Sequence, residues 1–281
     1  MQHAHRMISA VLELEPVDAC RVNGHCMRTM HGSFMANLDA DLRSRLHDTG
    51  AGPQPFTVSL LMRGDGAVAA DGRWAPGDPA RWRLTGLTGE LCTAIEQLAA
   101  RPVLEVDRHR FQVTGVAPGS DEPGAAEGWA RRSSYADLFR SAADRDRVVL
   151  SFASATAFKA GDAFVPFPLA DSVFGGYLAT WQAFGNVDLD IDAASFRQLC
   201  RERVWVDAFH LRTQALAQDV ARPSRNDRPQ MFTGFVGSVS YRLDRLGERG
   251  VRALNVLADF AMYCGTGSKK AQGAGQTRRV R

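Results

Sequence analysis

Seven histidines supply this chain with side chains that can move protons near neutral pH: His3, His5, His25, His31, His47, His109 and His210. His47 stands out by position. It closes an apolar helical pattern in "RLHD", directly before the turn sequence "TGAGPQP". A histidine there sits at an element end, where a large substrate can reach it. The negative end of the helix dipole favours its protonated form, as an acid requires. Capping the last helical carbonyls is the structural alternative. His31 lies sixteen residues earlier. On one unbroken helix that is about 1600°, or about 160° away from the face of His47. The two rings then converge only if the helix begins after His31, as "HGS" permits.

A second group of residues could hold an anion. "YCGTGSKKAQGAGQTRRVR" ends the chain, with Gly265, Gly267, Gly273 and Gly275 interleaved with Ser268, Lys269, Lys270, Gln276 and Arg278. Residues 265–281 carry five cations and no acid, against a net charge of +3, so the rest of the chain sums to −2. Glycines let successive backbone N–H groups face one concavity, and Lys or Arg beside them attract phosphate. A disordered basic tail is the alternative. Nucleotide motifs do not fit. A P-loop needs Gly-Lys-Ser/Thr, but here the lysines follow Ser268. A dinucleotide fingerprint opens a helix, whereas these glycines follow one and precede a strand. Cys20, His25 and Cys26 have no second ligand pair at zinc-finger spacing, so no metal is expected.

These residues must be held by the elements around them. The chain has 281 residues, 45% of them hydrophobic, enough for one large or two ordinary domains. Its five cysteines are odd in number and widely spaced, as in a reducing compartment. No apolar run approaches a membrane span and the N-terminus lacks a signal-peptide core, so a cytoplasmic protein is expected. "APGSDEPGAAEG", residues 117–128, reads as a linker between units 1–120 and 129–281.

The first unit reads as strand "MISAVLELEP", helix "HGSFMANLDADLRSRLH", strands "PFTVSLLMR" and "RWRLTGL", helix "TGELCTAIEQLAA" capped by Thr88, and strands in "PVLEVDRHRFQVTGV". Within the first helix Phe34, Leu38, Leu42 and Leu46 recur every four residues. The second unit repeats the order with additions: strand "RVVLSFASATAF", helix "LADSVFGGYLATWQAF", short helix "DAASFRQLC", strands "VWVDAFHLRTQAL" and "QMFTGFVGSVSYRL", helix "GVRALNVLADFAMYC" and strand "GQTRRV". The expected fold is α+β, with tandem ferredoxin-like (RRM-like) domains packed side by side. Phe232 and Phe235 of "FTGF" are candidate base-stacking aromatics, although alternation turns one of Phe235 and Val236 inward.

Three segments carry a resemblance. "MFTGFVGSVSYRL", "LADFAMYCGTG" and "KKAQGAGQTR" together resemble the C-terminal signature of the CRISPR-associated repeat-cleaving endoribonucleases of the RAMP superfamily. "LSFASATAFKAGDAFVPFPLADSVFGGYLATWQAF" and "HGSFMANLDADLRSRLHDTGAGPQPFTVSLL" are similar to further segments of that family. The resemblance implies recognition of the repeat in CRISPR precursor RNA. It also implies one metal-independent cut per repeat, leaving 2′,3′-cyclic phosphate and 5′-hydroxyl ends, with no cofactor. It places His47 at the family's catalytic histidine and the loop Gly265–Gln276, with Arg278, among RNA-binding residues near the domain junction. Family members pair the histidine with a tyrosine or lysine nearby. This chain has neither before Tyr135. His31, Arg43, Arg45, Arg63 or a residue of the second unit are then the candidate partners. A catalytically inactive RNA-binding subunit of a CRISPR effector complex is the alternative function. The candidate partners are repeat RNA, an effector complex and a second copy of the chain, with no membrane.

Overall fold

The computed structural model describes residues 5–47, 52–68, 71–117, 128–219 and 230–280. In chain order its elements are β1 (Arg6–Pro16), β2 (Cys20–Arg21), α1 (Met27–Asn37), α2 (Ala40–His47), β3 (Phe56–Val58), β4 (Met62–Arg63), β5 (Arg73–Trp74), β6 (Ala80–Gly86), α3 (Gly89–Ala99), β7 (Val103–Val106), β8 (His109–Val116) and β9 (Arg131–Ser134). Then come α4 (Tyr135–Ser141), β10 (Arg147–Thr156), β11 (Phe158–Ala160), β12 (Ala163–Val165), α5 (Ala170–Phe184), α6 (Ala193–Arg203), β13 (Trp205–Ala217), β14 (Met231–Arg242), α7 (Glu248–Cys264), a 3-10 turn (Lys270–Gln272) and β15 (Thr277–Val280).

Two antiparallel sheets organise the chain. The first has strand order β3-β6-β1-β8-β7, with β4 on β6 and β9 on β1. The second has order β13-β14-β10-β15. In each, the first strand lies between the third and fourth of a βαββαβ unit, which is the ferredoxin-like arrangement expected twice over. Most of the segment expected as a linker, 118–127, lies outside the described residues. The strand that follows it, β9, pairs with β1 from Arg6↔Ser134 to Ser9↔Arg131, so chain beyond that segment contributes to the first sheet.

The cores are interlocked in the same way. One cluster gathers Leu12, Phe34, Phe56, Trp82 and Ile95 and also takes in Phe232, Ala271 and Ala274. The other gathers Phe152, Tyr177, Trp181, Tyr241 and Phe260 and takes in Met7 and Leu87. The seam is fixed by Arg83 of β6, which is only 2% exposed. Its guanidinium donates to Ser9 Oγ at 2.9 Å, to Trp129 O at 3.3 Å, and to Gln276 Oε1 and Met262 O of the C-terminal region.

The single helix expected over residues 31–47 is two helices. α1 begins at Met27 and ends at Asn37; Leu38 is extended, with φ −80° and ψ 156°. Asp39 then starts α2, its carboxylate accepting from Leu42 N at 2.8 Å. The side-chain amide of Asn37 donates to Glu105 O at 2.7 Å and its oxygen accepts from Glu105 N at 3.1 Å, anchoring the end of α1 to β7. Every fourth residue stays apolar across the break because both short helices pack on the same core. Other expected signals hold: Thr88 caps α3 by accepting from Leu91 N at 3.3 Å.

Phe232 and Phe235 are not exposed for stacking on bases. Phe232 is 1% exposed and packs edge-on against Phe164; Phe235 is 2% exposed and packs edge-on against Phe152. Val236 is buried too, because strict alternation fails where the β10–β14 register shifts between Phe152 and Thr156.

The cap on α2 generates a test. Asp39→Ala should cost about 1 kcal/mol, lowering the thermal midpoint by roughly 2–4 °C in a chain of this size. An unchanged midpoint would mean that Asp39 does not hold the start of α2.

Candidate functional site

The break between α1 and α2 decides what the two histidines can do. His47 is the last residue of α2 and is exposed; His31 sits midway along α1 and is half-buried. Because the helices turn at Leu38, the 160° separation of a straight helix does not apply. Charge on His47 disfavours charge on His31. His31 stacks on Phe56 of β3, with centroids 6.0 Å apart and planes 19° apart. Its Nδ1 lies 3.0 Å from Ala271 O, in the glycine-rich loop 240 residues away in sequence. A carbonyl oxygen can only accept, so this contact assigns the proton to Nδ1 and leaves the Nε2 lone pair free in the neutral ring. Burial holds the His31 pKa below its ordinary range; the Ala271 carbonyl opposes that shift, and His47 adds to it.

The loop is folded and internal. Gly265 N donates to Ala261 O at 2.9 Å, Thr266 N to Gly275 O at 2.8 Å, Ser268 N to Ala157 O at 2.9 Å, Gln272 N to Lys269 O at 2.9 Å and Gly275 N to Ala155 O at 3.1 Å. Gln276 N donates to Ser154 Oγ at 3.0 Å. These six amides are directed to protein oxygens and are taken up by the fold. The glycines serve close approach. Gly273, at φ 104°, would place a Cβ 2.7 Å from Leu60 Cδ2, and a Cβ on Gly275, at φ 69°, would strike Thr266 O.

The remaining candidates divide sharply. Gln276 is buried, accepting from Arg83 and donating from Nε2 to Val58 O at 3.2 Å, so it builds the seam. Lys270 is turned inward: burial lowers its pKa, and it runs beside Gly265 near the buried Cys264 thiol of α7. Lys269 faces charged groups of α1, β11 and the end of β13. Arg278 lies over Trp129, its guanidinium carbon 5.1 Å from the ring centroid. Arg45 pairs with Glu90 of α3. Arg63 contacts Asp71 at 3.3 Å and Asp78 at 3.6 Å and lies over Trp74. Both arginines are thus engaged with carboxylates, while Arg43 lies one helical turn before His47 on α2.

Sequence reasoning missed Arg83 and Trp129. They line a cleft of about 750 Å³ between the open faces of the two sheets, with Arg81, Arg212 and Gln214. Burial lowers the Arg83 pKa to about 9. Trp129 has Arg83 at 4.7 Å from its ring centroid as well as Arg278. The signal was weak because Trp129 borders the linker and Arg83 sits in an ordinary strand pattern. No His/Cys/Asp/Glu cluster among the described residues could hold a metal ion, and no described helix is long and apolar enough to cross a membrane.

Residues 150–277 match the family model described as CRISPR-associated endoribonuclease Cas6. The likeness is to Cas6, and it spans the chain. A solved product complex of Cas6 (TTHA0078) is 26% identical, with TM-score 0.71, over 98% of this chain and 100% of that one. A product complex of Cas6 (TTHB231), from Thermus thermophilus, is 24% identical with TM-score 0.74, over 98% of this chain and 100% of that one. A RAMP protein described as binding different RNA substrates shares the fold at 13% identity and TM-score 0.52, over 98% of this chain and 100% of that one. No curated protein sequence matches the chain. The resemblance to CRISPR-associated endoribonucleases read from the sequence motifs therefore holds, as does the tandem ferredoxin-like fold.

The depressed His31 pKa has a measurable consequence. Above about pH 6.5 the ring is neutral in folded and unfolded chains alike and adds no pH dependence. Below that, the unfolded chain takes up the proton first, so stability falls with pH until the folded ring protonates as well. His31→Asn keeps an amide N–H for Ala271 O but cannot titrate. Urea unfolding at about pH 5 and about pH 7.5 should show a smaller stability difference in His31→Asn than in the wild type. Equal differences would place the His31 pKa at its unfolded value.

Proposed function

We propose that this chain is an endoribonuclease that binds CRISPR repeat RNA and cleaves the precursor within each repeat, with His31 and His47 as its proton-transfer pair. The observation that carries this is the placement of His31: its Nδ1 donates to Ala271 O of the glycine-rich loop, which fixes its tautomer, while His47 closes the next helix. The family match of residues 150–277 supports the substrate class. So do relatives at 25–26% identity, solved as a product complex, as a substrate-mimic complex and as a histidine-to-alanine variant.

The chemistry uses the RNA's own nucleophile. The 2′-hydroxyl oxygen attacks the adjacent phosphorus, the bond from phosphorus to the 5′-oxygen breaks, and 2′,3′-cyclic phosphate and 5′-hydroxyl ends result. His31 Nε2, with its lone pair free, takes the 2′-hydroxyl proton. His47, at a helix C-terminus, gives a proton to the departing 5′-oxygen. Burial favours the neutral form of His31, which is the form a base needs. The protein supplies no nucleophile and no metal; its work is alignment of the three reacting atoms and proton transfer. The cleft with exposed Arg81 and Arg212 would carry RNA backbone beyond the cut.

Incubation with repeat RNA from the same genome, in EDTA, tests this. Wild type should cleave to a cyclic-phosphate product. His47→Ala and His31→Ala should each slow cleavage by about 10²–10⁴-fold while RNA affinity changes little. Tight binding by wild type without any cleavage would favour the inactive effector subunit instead. Cleavage that EDTA abolishes would overturn the metal-free step.

A further inference from the structure

Gln276 sits in a loop whose sequence suggests RNA contact, yet it is only 5% exposed and its side chain is engaged within the protein. Both ends of its amide are assigned by their partners. A guanidinium can only donate, so the end facing Arg83 is Oε1. A carbonyl can only accept, so the end facing Val58 O, at 3.2 Å, is Nε2. The backbone is fixed as well. Gln276 N donates to Ser154 Oγ at 3.0 Å, and Gln276 O accepts from Ala153 N at 2.7 Å. One residue therefore joins β6, β10 and the last residue of β3.

On either side of that junction lie the two contacts of His31. Two residues before Val58 is Phe56, on which the ring stacks with centroids 6.0 Å apart. Five residues before Gln276 is Ala271, whose carbonyl oxygen lies 3.0 Å from Nδ1. The stretch between Ala271 and Gln276 has no slack. Gly273 packs so closely that a Cβ would lie 2.7 Å from Leu60 Cδ2, two residues past Val58. Ala274 is buried, and Gly275 N is held by Ala155 O at 3.1 Å. The Gln276–Val58 bond thus ties the strand that carries the stacking ring to the loop that carries the carbonyl.

We propose that Gln276 is a positioning residue for RNA cleavage: by tying β3 to the loop it holds the His31 ring between Phe56 and Ala271 O, with the proton on Nδ1. The effect on rate rests on the cleavage reading; the effect on the ring rests on the geometry alone. Arg83 takes part by fixing which way the amide points. Gln276 acts through His31 and needs no contact with RNA.

Gln276→Glu isolates the bond. It keeps an acceptor for Arg83 and puts a carboxylate oxygen, in place of the donor, against Val58 O. Gln276→Met has a similar volume and removes both bonds. Long-range proton–nitrogen spectra of isotope-labelled histidines at about pH 8, where the rings are neutral, report the tautomer, with His31→Asn assigning the signal. Wild type should show His31 protonated at Nδ1 alone, and each Gln276 variant a mixture of the two tautomers. Single-turnover cleavage should slow by about 10–100-fold, while affinity for 2′-O-methyl repeat RNA, which lacks the nucleophile, changes little. Asn255→Ala is the reference for a merely destabilised chain. Asn255 is buried in the second core and donates to Arg145 O at 2.9 Å. Its loss should lower the thermal midpoint by roughly 2–8 °C and leave tautomer and rate at wild-type values. An Nδ1 tautomer retained in either folded Gln276 variant overturns the proposal, as does a mixture in Asn255→Ala. The two readings fail separately. Mixed tautomers in the variants, beside a wild type that never cuts, lose the cleavage reading and keep the hold on the ring. Variants with mixed tautomers that cut as fast as wild type lose the role of Gln276 in the reaction alone.

Discussion

A buried guanidinium joins the two sheets, and the geometry of the site depends on it. Arg83 leaves β6, crosses the seam and meets oxygens of Ser9, Trp129, Met262 and Gln276. Taking a cation out of water is costly, and burial pulls its pKa down to about 9. Four acceptors and the face of Trp129 offset that cost only in one relative placement of the sheets. That placement presents the glycine-rich loop to α1 and β3, and the loop carries Ala271 to His31. A shift at the seam of the order of an ångström would separate the ring from its carbonyl.

Much of this could be read from the residues. Two rounds of strand-helix-strand-strand-helix-strand were visible as alternating and helical periodicities, and Thr88 was legible as a cap by type and place. The helix break was less so. Leu38 continues the four-residue apolar step, so periodicity runs through it, while the competing signal was the single Asp39 followed three residues later by an N–H needing a partner. The burial of Phe232 and Phe235 was not legible, because it depends on a register shift against β10 and on Phe164 arriving from β12. The influence of His47 on His31 acts across that break, and so was hidden with it. The loop's contact with His31 spans 240 residues, and no local pattern encodes such a pairing.

Lys269 and Lys270 show how little residue type alone decides. They are neighbours of identical chemistry. Lys269 takes a left-handed backbone, and the 3-10 turn begins at the next residue. One amine therefore meets the cations of α1 and β11, and the other is turned toward Cys264. Glycine spacing announces that a tight loop exists. The sign of each φ, set by packing against Leu60, Thr266 and Ala157, decides which side chain faces outward.

The reach from His31 to Ala271 also orders events in time. A ribosome adding about 5–20 residues per second makes the Ala271 carbonyl on the order of ten to fifty seconds after the His31 ring. Through that interval the first sheet can fold with its histidines in place, but nothing from the loop yet holds the Nδ1 proton or buries the ring. A nascent chain surrounded by messenger RNA thus carries an unfinished site, completed when the last helix and loop dock. Because the site draws on residues 240 positions apart, His31 gains its carbonyl partner only after the loop has been made and has docked.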